Sequence, residues 1–351
     1  MPVAGLLGVH AGEADGSMTR APATPHGCPI CEAPVARAVL GARDWEWGSG
    51  QSFSLVKCGG CGLVRIDPRP APEELRRFYP EEYWPRLQAA GDPLDAWILG
   101  VPWRQLMRSR AAAIRAVVQG PARLLEIGCG DGYFLRYMHE SGWEVEGIEP
   151  ARPAVEFARE RLGVGVHCGR LEELSLRERA YDVIYMHHVF EHLASPLETL
   201  RCLRPLLAEG GWLYLAVPNW RSLDRKIFGA CWVGLKPPQH LFVYDRATLQ
   251  SLLAKAGFVL RKSATYSREG TSLIGYTESL RYRLLERGLR RETPRELAAT
   301  AGPARFDEPL RSEEAWKRLV QRAENGLWWP VYTLADRLGY GTNLKAWVQR
   351  E

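Results

Sequence analysis

Leu124-Leu125-Glu126-Ile127-Gly128-Cys129-Gly130-Asp131-Gly132 is an apolar run that ends in three alternately spaced glycines, and Tyr133-Phe134-Leu135-Arg136-Tyr137-Met138 continues it. The pattern predicts a buried strand, a tight turn and a helix. Glycine adopts positive φ and lets a ligand lie against bare backbone. The free N–H groups of a helix start favour partial negative charge at the same place. Strand and helix patterns alternate onward from this turn, which implies a parallel sheet covered on both faces.

Strands are expected at 123–127, 143–148, 165–168, 181–186, 211–217, 258–265 and 343–349. Helices are expected at 133–141 and 153–162, from Ser195-Pro196 onward, and at 248–256, where Gly257 stops the last one. Ligands of such sheets bind outside the carboxyl ends of the strands, beside the first strand. The 351 residues suffice for this domain and a small module besides. A hydrophobic fraction of 46% against 25% charged supplies a real core, in which most of the thirteen tryptophans would be anchors. The net charge of +5 is mild and spread out, so it does not argue for a nucleic-acid platform. No apolar run reaches roughly 18 residues, so no membrane span is expected. The patch Ala4-Gly5-Leu6-Leu7-Gly8-Val9 lacks the basic residues of a secretory signal.

Residues 1–26 have no periodicity and read as a disordered leader, with Met18 a second candidate start. Two knuckles follow, Cys28-Pro29-Ile30-Cys31 and Cys58-Gly59-Gly60-Cys61, separated by about 26 residues. Tetrahedral zinc takes two thiolates from each of two tight turns, so residues 27–70 read as a zinc ribbon with Cys28, Cys31, Cys58 and Cys61 as ligands of a structural Zn2+. A pair of redox dithiols is the competing reading. Paired thiols plus the scattered Cys129, Cys168, Cys202 and Cys231 fit a reducing cytoplasm. Residues 71–122 read as linker and helical cap, with a short helix from Pro72 that ends before Tyr83-Trp84-Pro85 and another over about 97–118.

The ligand of the glycine turn follows from its neighbours. Gly128-x-Gly130-x-Gly132 is not the dinucleotide spacing, because Tyr133 stands where the third glycine or alanine belongs. Glu126 precedes the turn, Glu149 ends the second strand where a carboxylate accepts both ribose hydroxyls, and no phosphate-binding lysine follows. The combination fits S-adenosylmethionine. Here the chain resembles the class I S-adenosylmethionine-dependent methyltransferases over about 123–265, with 343–349 as the final strand. Glu126 to Gly132 is similar to that family's first motif, Glu149 to its ribose acid, and Tyr181-Asp182-Val183-Ile184 through His187-His188-Val189-Phe190-Glu191-His192-Leu193 to its fourth-strand segment. Gly210-Gly211 and the run from Leu249 to Phe258 are similar too. The ribbon followed by Asp67-Pro68-Arg69-Pro70 resembles a bacterial subgroup acting on sugars, polysaccharides and secondary metabolites.

The resemblance implies a Rossmann-like α/β methyltransferase domain over 123–351 with a helical insertion at about 268–340. It implies cofactor contacts from Glu126, Gly128, Cys129, Gly130, Gly132, Glu149, Arg170, Leu171 and His187. Arg170 departs from the family pattern, which places an acidic or small polar residue there to meet the adenine amino group. The departure leaves adenine to Glu172, or to backbone and Leu171. Histidine suits proton transfer near neutral pH, so His240, His192 and His188 are the candidate catalytic residues, with Glu191 beside them. Each has a plainer reading, as a brace for a helix start or a loop. His187-His188-Val189-Phe190 is not Asn/Asp-Pro-Pro-Tyr, and no Pro-Cys dipeptide is present, so DNA modification is disfavoured.

The insertion pairs an arginine-rich stretch, Ser279 to Arg287, with the aromatic stretch Leu327 to Leu334, and reads as a helical cap over the acceptor site. Membrane-surface contact, partner docking and packing on the sheet are its alternatives. The leading expectation is methyl transfer to a small-molecule, sugar or glycan- or lipid-linked acceptor in the cytoplasm. An RNA methyltransferase using the ribbon for recognition and a catalytically silent cofactor-binding partner subunit are the alternatives.

Overall fold

The computed structural model describes residues 27–28, 30–34, 36–45, 51–79, 97–98, 101–268, 274–287 and 328–351. The expected leader, the stop at Tyr83-Trp84-Pro85 and most of the expected insertion lie outside them.

Three antiparallel strands open the described chain: β1 (Ala36–Arg43), β2 (Ser52–Cys58) and β3 (Val64–Ile66). The short α1 (Pro72–Arg76) follows, begun by a proline that has no N–H to leave unpaired. A small hairpin, β4 (Trp97–Ile98) with β5 (Val101–Pro102), leads into α2 (Trp103–Arg115). The single helix expected over 97–118 is therefore corrected. Pro102 offers no N–H to a helix continuing through it, and the helix starts at the next residue.

The large sheet is built from β6 (Arg123–Ile127), β7 (Glu144–Glu149), β8 (Val166–Cys168), β9 (Tyr181–His187), β10 (Leu207–Pro218), β12 (Phe258–Tyr266) and β13 (Asn343–Arg350). Its order is β12-β13-β10-β9-β6-β7-β8. The five strands β10, β9, β6, β7 and β8 run parallel, and β13 is antiparallel to both β10 and β12. Helices α3 (Tyr133–Glu140), α4 (Arg152–Glu160), α5 (Pro196–Leu203) and α7 (Arg246–Lys255) connect them. Strand β10 begins at Leu207, four residues before the Gly211 expected from its glycine pair.

Val183, Ile184, Tyr185 and Met186 are all buried, as a strand covered on both faces requires. Alternate side chains enter different cores. Ile184, Met186, Leu213 and Leu215 pack with α5 and α7, whereas Val183, Tyr185, Tyr214 and Trp347 pack with α2, α3 and α4. On the second face Phe134, Tyr185, Tyr214 and Trp347 form a run of aromatic contacts at centroid distances of 4.4, 5.0 and 5.6 Å, each worth about 0.5–1.5 kcal/mol beyond area burial. Trp347 Nε1 donates to Ala113 O at 2.7 Å, which pins α2 across β13.

The N-terminal strands do not form a free-standing module. The β11 strand (Phe242–Val243), from the segment after β10, pairs with β3 and completes a four-stranded sheet β1-β2-β3-β11. Lys255 Nζ at the end of α7 donates to Ile30 O at 2.6 Å and meets Glu32 at 3.0 Å. Helix α8 (Ile274–Glu286) packs on α6 (Leu223–Phe228) and brings Tyr282 into the core that Phe53, Leu55, Phe78 and Trp232 share. The described part of the expected insertion is thus helical but lies against the ribbon side, where Tyr282 stacks on Trp45 at 6.1 Å.

Candidate active site

The turn after β6 is built as its glycines allow. Gly128, Gly130 and Gly132 have φ of 66°, 56° and 82°. A Cβ on Gly132 would stand 2.8 Å from the Ala158 methyl of α4, and one on Gly128 2.6 Å from Val189. The second contact links two sites, because Val189 lies between His188 and Glu191.

Glu149, at the end of β7, is 5% exposed and turns its carboxylate onto the glycine turn. Its Oε2 accepts from Gly130 N and its Oε1 from Ala151 N, both at 3.0 Å. Each oxygen keeps a second lone pair for a hydroxyl donor. Burial raises this carboxyl to about 7, with the two N–H donors opposing. Glu126 is buried beside it, and its Oε2 has no hydrogen-bond partner among the described residues. Burial pushes its pKa well up, Arg110 opposes, and Asp131 and Glu149 add to the rise.

The other expected cofactor residues are placed as follows. Cys129 points its thiol into the core beneath Gly147, where a Cβ would come within 2.7 Å of the sulfur, so only its backbone belongs to the turn. Leu171 is buried in the core cluster that contains Ile127 and Ile148. Arg170 is exposed, and its backbone N–H donates to Glu173 at 3.1 Å rather than its side chain turning inward. His187 stacks on Tyr185 at 5.9 Å and lies 3.4 Å from the Tyr266 hydroxyl.

His188, Glu191, His192 and His240 come together at the carboxyl ends of β9 and β10. His188 adopts φ of 55°, a left-handed conformation uncommon outside glycine, and its N–H is tied to Ala216 O at 2.9 Å. Its Nδ1 donates to Glu191 Oε1 at 3.1 Å, and the ring is about a third exposed. Glu191 is fully buried. Burial alone would raise its pKa, but the His188 hydrogen bond and the charges of His188, His192 and His240 outweigh that and hold it at about 2. His240 is buried, its Nδ1 donates to Gly234 O at 2.8 Å, and its Nε2 is 3.9 Å from Glu191 Oε1. Burial, then His192, pushes the His240 pKa well below the usual imidazole range.

The ribbon side closes over this cluster. Tyr79 Oη lies 2.8 Å from His192 Nδ1, and Gln239 Nε2 donates to Phe78 O at 2.5 Å. Ile66 N donates to Leu241 O at 3.0 Å, and Leu241 N to Glu191 O at 2.9 Å. Sequence reasoning missed Tyr79 and Gln239. No spacing signal connects them to His192, because they meet it only through the β3–β11 pairing.

The four knuckle cysteines also meet. Their sulfurs lie within 4.8 Å of one another, with Cys28–Cys61 at 3.2 Å and Cys31–Cys58 at 3.4 Å, and none is in a disulfide. Burial pushes the Cys58 thiol up, but the Cys61 and Gly60 N–H groups and its thiol neighbours outweigh it and bring it to about 6. Burial raises Cys28 and Cys61. A Cβ on Gly60 would stand 2.9 Å from Cys31 Sγ, so the knuckle needs glycine there. Four convergent sulfurs fit a tetrahedral thiolate-bound ion.

Residues 103–263 match the family Methyltransf_23, described as a methyltransferase domain. That stretch of the chain is similar to methyltransferase domains. It is 29% identical over 141 residues to the ubiquinone biosynthesis O-methyltransferase of Burkholderia pseudomallei, covering 38% of this chain and 61% of that protein. It is 33% identical over 107 residues to the malonyl-[acyl-carrier protein] O-methyltransferase of Anoxybacillus flavithermus, covering 29% of this chain and 41% of that one. The chain therefore spans less than two thirds of the length of these relatives. A S-adenosylmethionine-dependent methyltransferase structure from Archaeoglobus fulgidus superposes with a TM-score of 0.44 at 20% identity, over 71% of this chain and 94% of that one. The glycine turn and the histidine cluster occupy one end of the sheet. At the other end, among the amino ends of β9, β10 and β12, Arg179, Arg201, Arg204 and Gly257 line a cavity of about 500 Å³. No helix among the described residues is long and apolar enough to cross a membrane.

Proposed function

We propose that the chain transfers a methyl group from S-adenosylmethionine to a hydroxyl of a small-molecule, sugar or glycan- or lipid-linked acceptor. The observation that carries this reading is the contact of Val189 with Gly128, which seats the His188–Glu191 pair directly beside the glycine turn of the methyltransferase domain. The relatives' names, both O-methyltransferases, support oxygen as the accepting atom.

The residues at the turn fit the cofactor. Glu149 has a free lone pair on each oxygen for the ribose hydroxyls, the left-handed glycines expose backbone to its methionine part, and the orphaned Glu126 Oε2 suits a cationic donor. When bound, S-adenosylmethionine supplies a methyl carbon already activated by the sulfonium. The chain positions the acceptor and takes its proton. With Nδ1–H donated to the buried Glu191 carboxylate, His188 presents Nε2 as the base, and Glu191 stabilises the imidazolium that results. The four thiolates would hold Zn2+ as a structural ion and keep β3 in place under Leu241.

Calorimetry with S-adenosylhomocysteine tests the cofactor half of this reading, and folded protein that gives no binding heat refutes it. Transfer of labelled methyl to hydroxylated acceptors, lost on His188→Ala while cofactor affinity is kept, tests the other half.

A further inference from the structure

The cluster around Glu191 holds more than one base needs. The Glu191 side chain has no exposure to solvent, and among the described residues only one of its oxygens has a hydrogen-bond partner. Leaving a buried carboxylate oxygen bare is costly. The His240 ring donates Nδ1–H to Gly234 O, and the His192 ring sets Nδ1 3.1 Å from Gln239 O. A carbonyl oxygen only accepts, so the His240 ring carries its proton on Nδ1 and leaves Nε2 as a lone pair, while His192 Nδ1 is held between Gln239 O and the Tyr79 hydroxyl at 2.8 Å. Imidazoles whose Nδ1–H is held by backbone carbonyls are oriented as metal ligands are. One ligand atom from each of Glu191, His192 and His240 lies within 4.8 Å of the others. The two rings are nearly perpendicular, with centroids 4.6 Å apart.

We propose that Glu191, His192 and His240 bind a divalent first-row transition ion, separate from the ion of the cysteine ribbon. Two imidazoles and one carboxylate suit Zn2+, Fe2+ or Ni2+ better than Mg2+ or Ca2+, and three protein donors leave coordination positions open. His192 is half-buried and His188 a third exposed, so the cluster reaches solvent on that side. Resting on the methyltransferase reading, the ion binds the acceptor hydroxyl oxygen and lowers its pKa. The hydroxyl proton passes to His188 Nε2. The oxygen's electron pair then forms the new O–CH3 bond as the sulfonium–methyl bond breaks, and that bonding pair stays on sulfur as the thioether. The acceptor class is therefore one with an oxygen able to ligate a metal, such as a phenol or catechol-type hydroxyl.

The test is metal content of the full chain after dialysis against Zn2+ and then metal-free buffer. About two ions per chain are expected for the native protein, and about one for Glu191→Gln and for His192→Ala. Equal content in native protein and both variants overturns the proposal. Cobalt substitution of the native chain gives a second reading that needs no variant. Ligand-field bands of a nitrogen and oxygen site, beside the thiolate charge-transfer bands of the ribbon, support it, and thiolate bands alone overturn it. S-adenosylhomocysteine titration separates the two readings. A second ion with no cofactor binding leaves the metal site standing and removes the methyltransferase reading, whereas cofactor binding with a single ion does the reverse.

Discussion

Glu149→Gln is the sharpest perturbation of the cofactor site. The native carboxylate accepts from Gly130 N and Ala151 N and keeps one lone pair per oxygen for ribose. The amide keeps one accepting oxygen and turns an NH2 toward one of those two N–H donors. It thereby loses one charged hydrogen bond to ribose and disturbs the turn itself. Hydrogen bonds to charged groups are worth about 1.5–3 kcal/mol, so a loss of about 2–3 kcal/mol is expected, roughly a 30- to 150-fold weaker Kd at about 1.4 kcal/mol per tenfold. Calorimetry with S-adenosylhomocysteine at pH 8 measures it. The pH dependence gives an independent check, because burial holds the empty-site carboxyl at about 7. Its folded pKa lies above the ordinary carboxylate value, so its contribution to stability is complete below about 4.5 and is lost as pH rises through about 7. Cofactor binding to the ionised form then expels a proton below pH 7, and affinity falls about tenfold per pH unit there. The variant lacks that dependence. Affinity within threefold of native, with the same pH profile, would refute the ribose assignment.

Gly132→Ala forces a left-handed alanine and sets a methyl 2.8 Å from the Ala158 methyl. Strain of about 1–2 kcal/mol plus overpacking of about 1–3 kcal/mol should lower stability by about 2–5 kcal/mol, read from a denaturant midpoint. An unchanged midpoint would mean that α4 gives way freely. His188→Ala should lower kcat by about 10²- to 10⁴-fold, the usual share of a general base, and a change confined to KM would count against proton transfer there. Cys58→Ser should release the ribbon ion. Because β3 pairs with β11 next to His240, it should also abolish methyl transfer while S-adenosylhomocysteine affinity stays within a few-fold. Retained turnover in an ion-free ribbon would show that the ribbon does not position the cluster.

Local chemistry made much of this protein legible in one dimension. The glycine turn, the buried run from Val183 to Met186 and the two cysteine knuckles each encode their geometry within a few residues. Positive φ, two-faced burial and paired thiolates are short-range demands. The start of α2 is not legible in the sequence, because helical periodicity runs through Trp97 to Val118, and only the proline at 102 and the hairpin pairing decide against it. The reversed β13 and the β3–β11 pairing carry no local signal, since strand partners are chosen by packing across long sequence separations.

The sequence alone determined that a glycine turn follows an apolar strand and that histidines follow the fourth strand. It did not determine that His188, Glu191, His192 and His240 converge, nor that Tyr79 and Gln239 close over them. That arrangement joins residues 113 and 161 positions apart through hydrogen bonds to His192 and Phe78. It exists because the N-terminal sheet borrows its fourth strand from the segment after β10, a pairing that buries Phe242 and Val243 against β3 and follows no pattern along the chain.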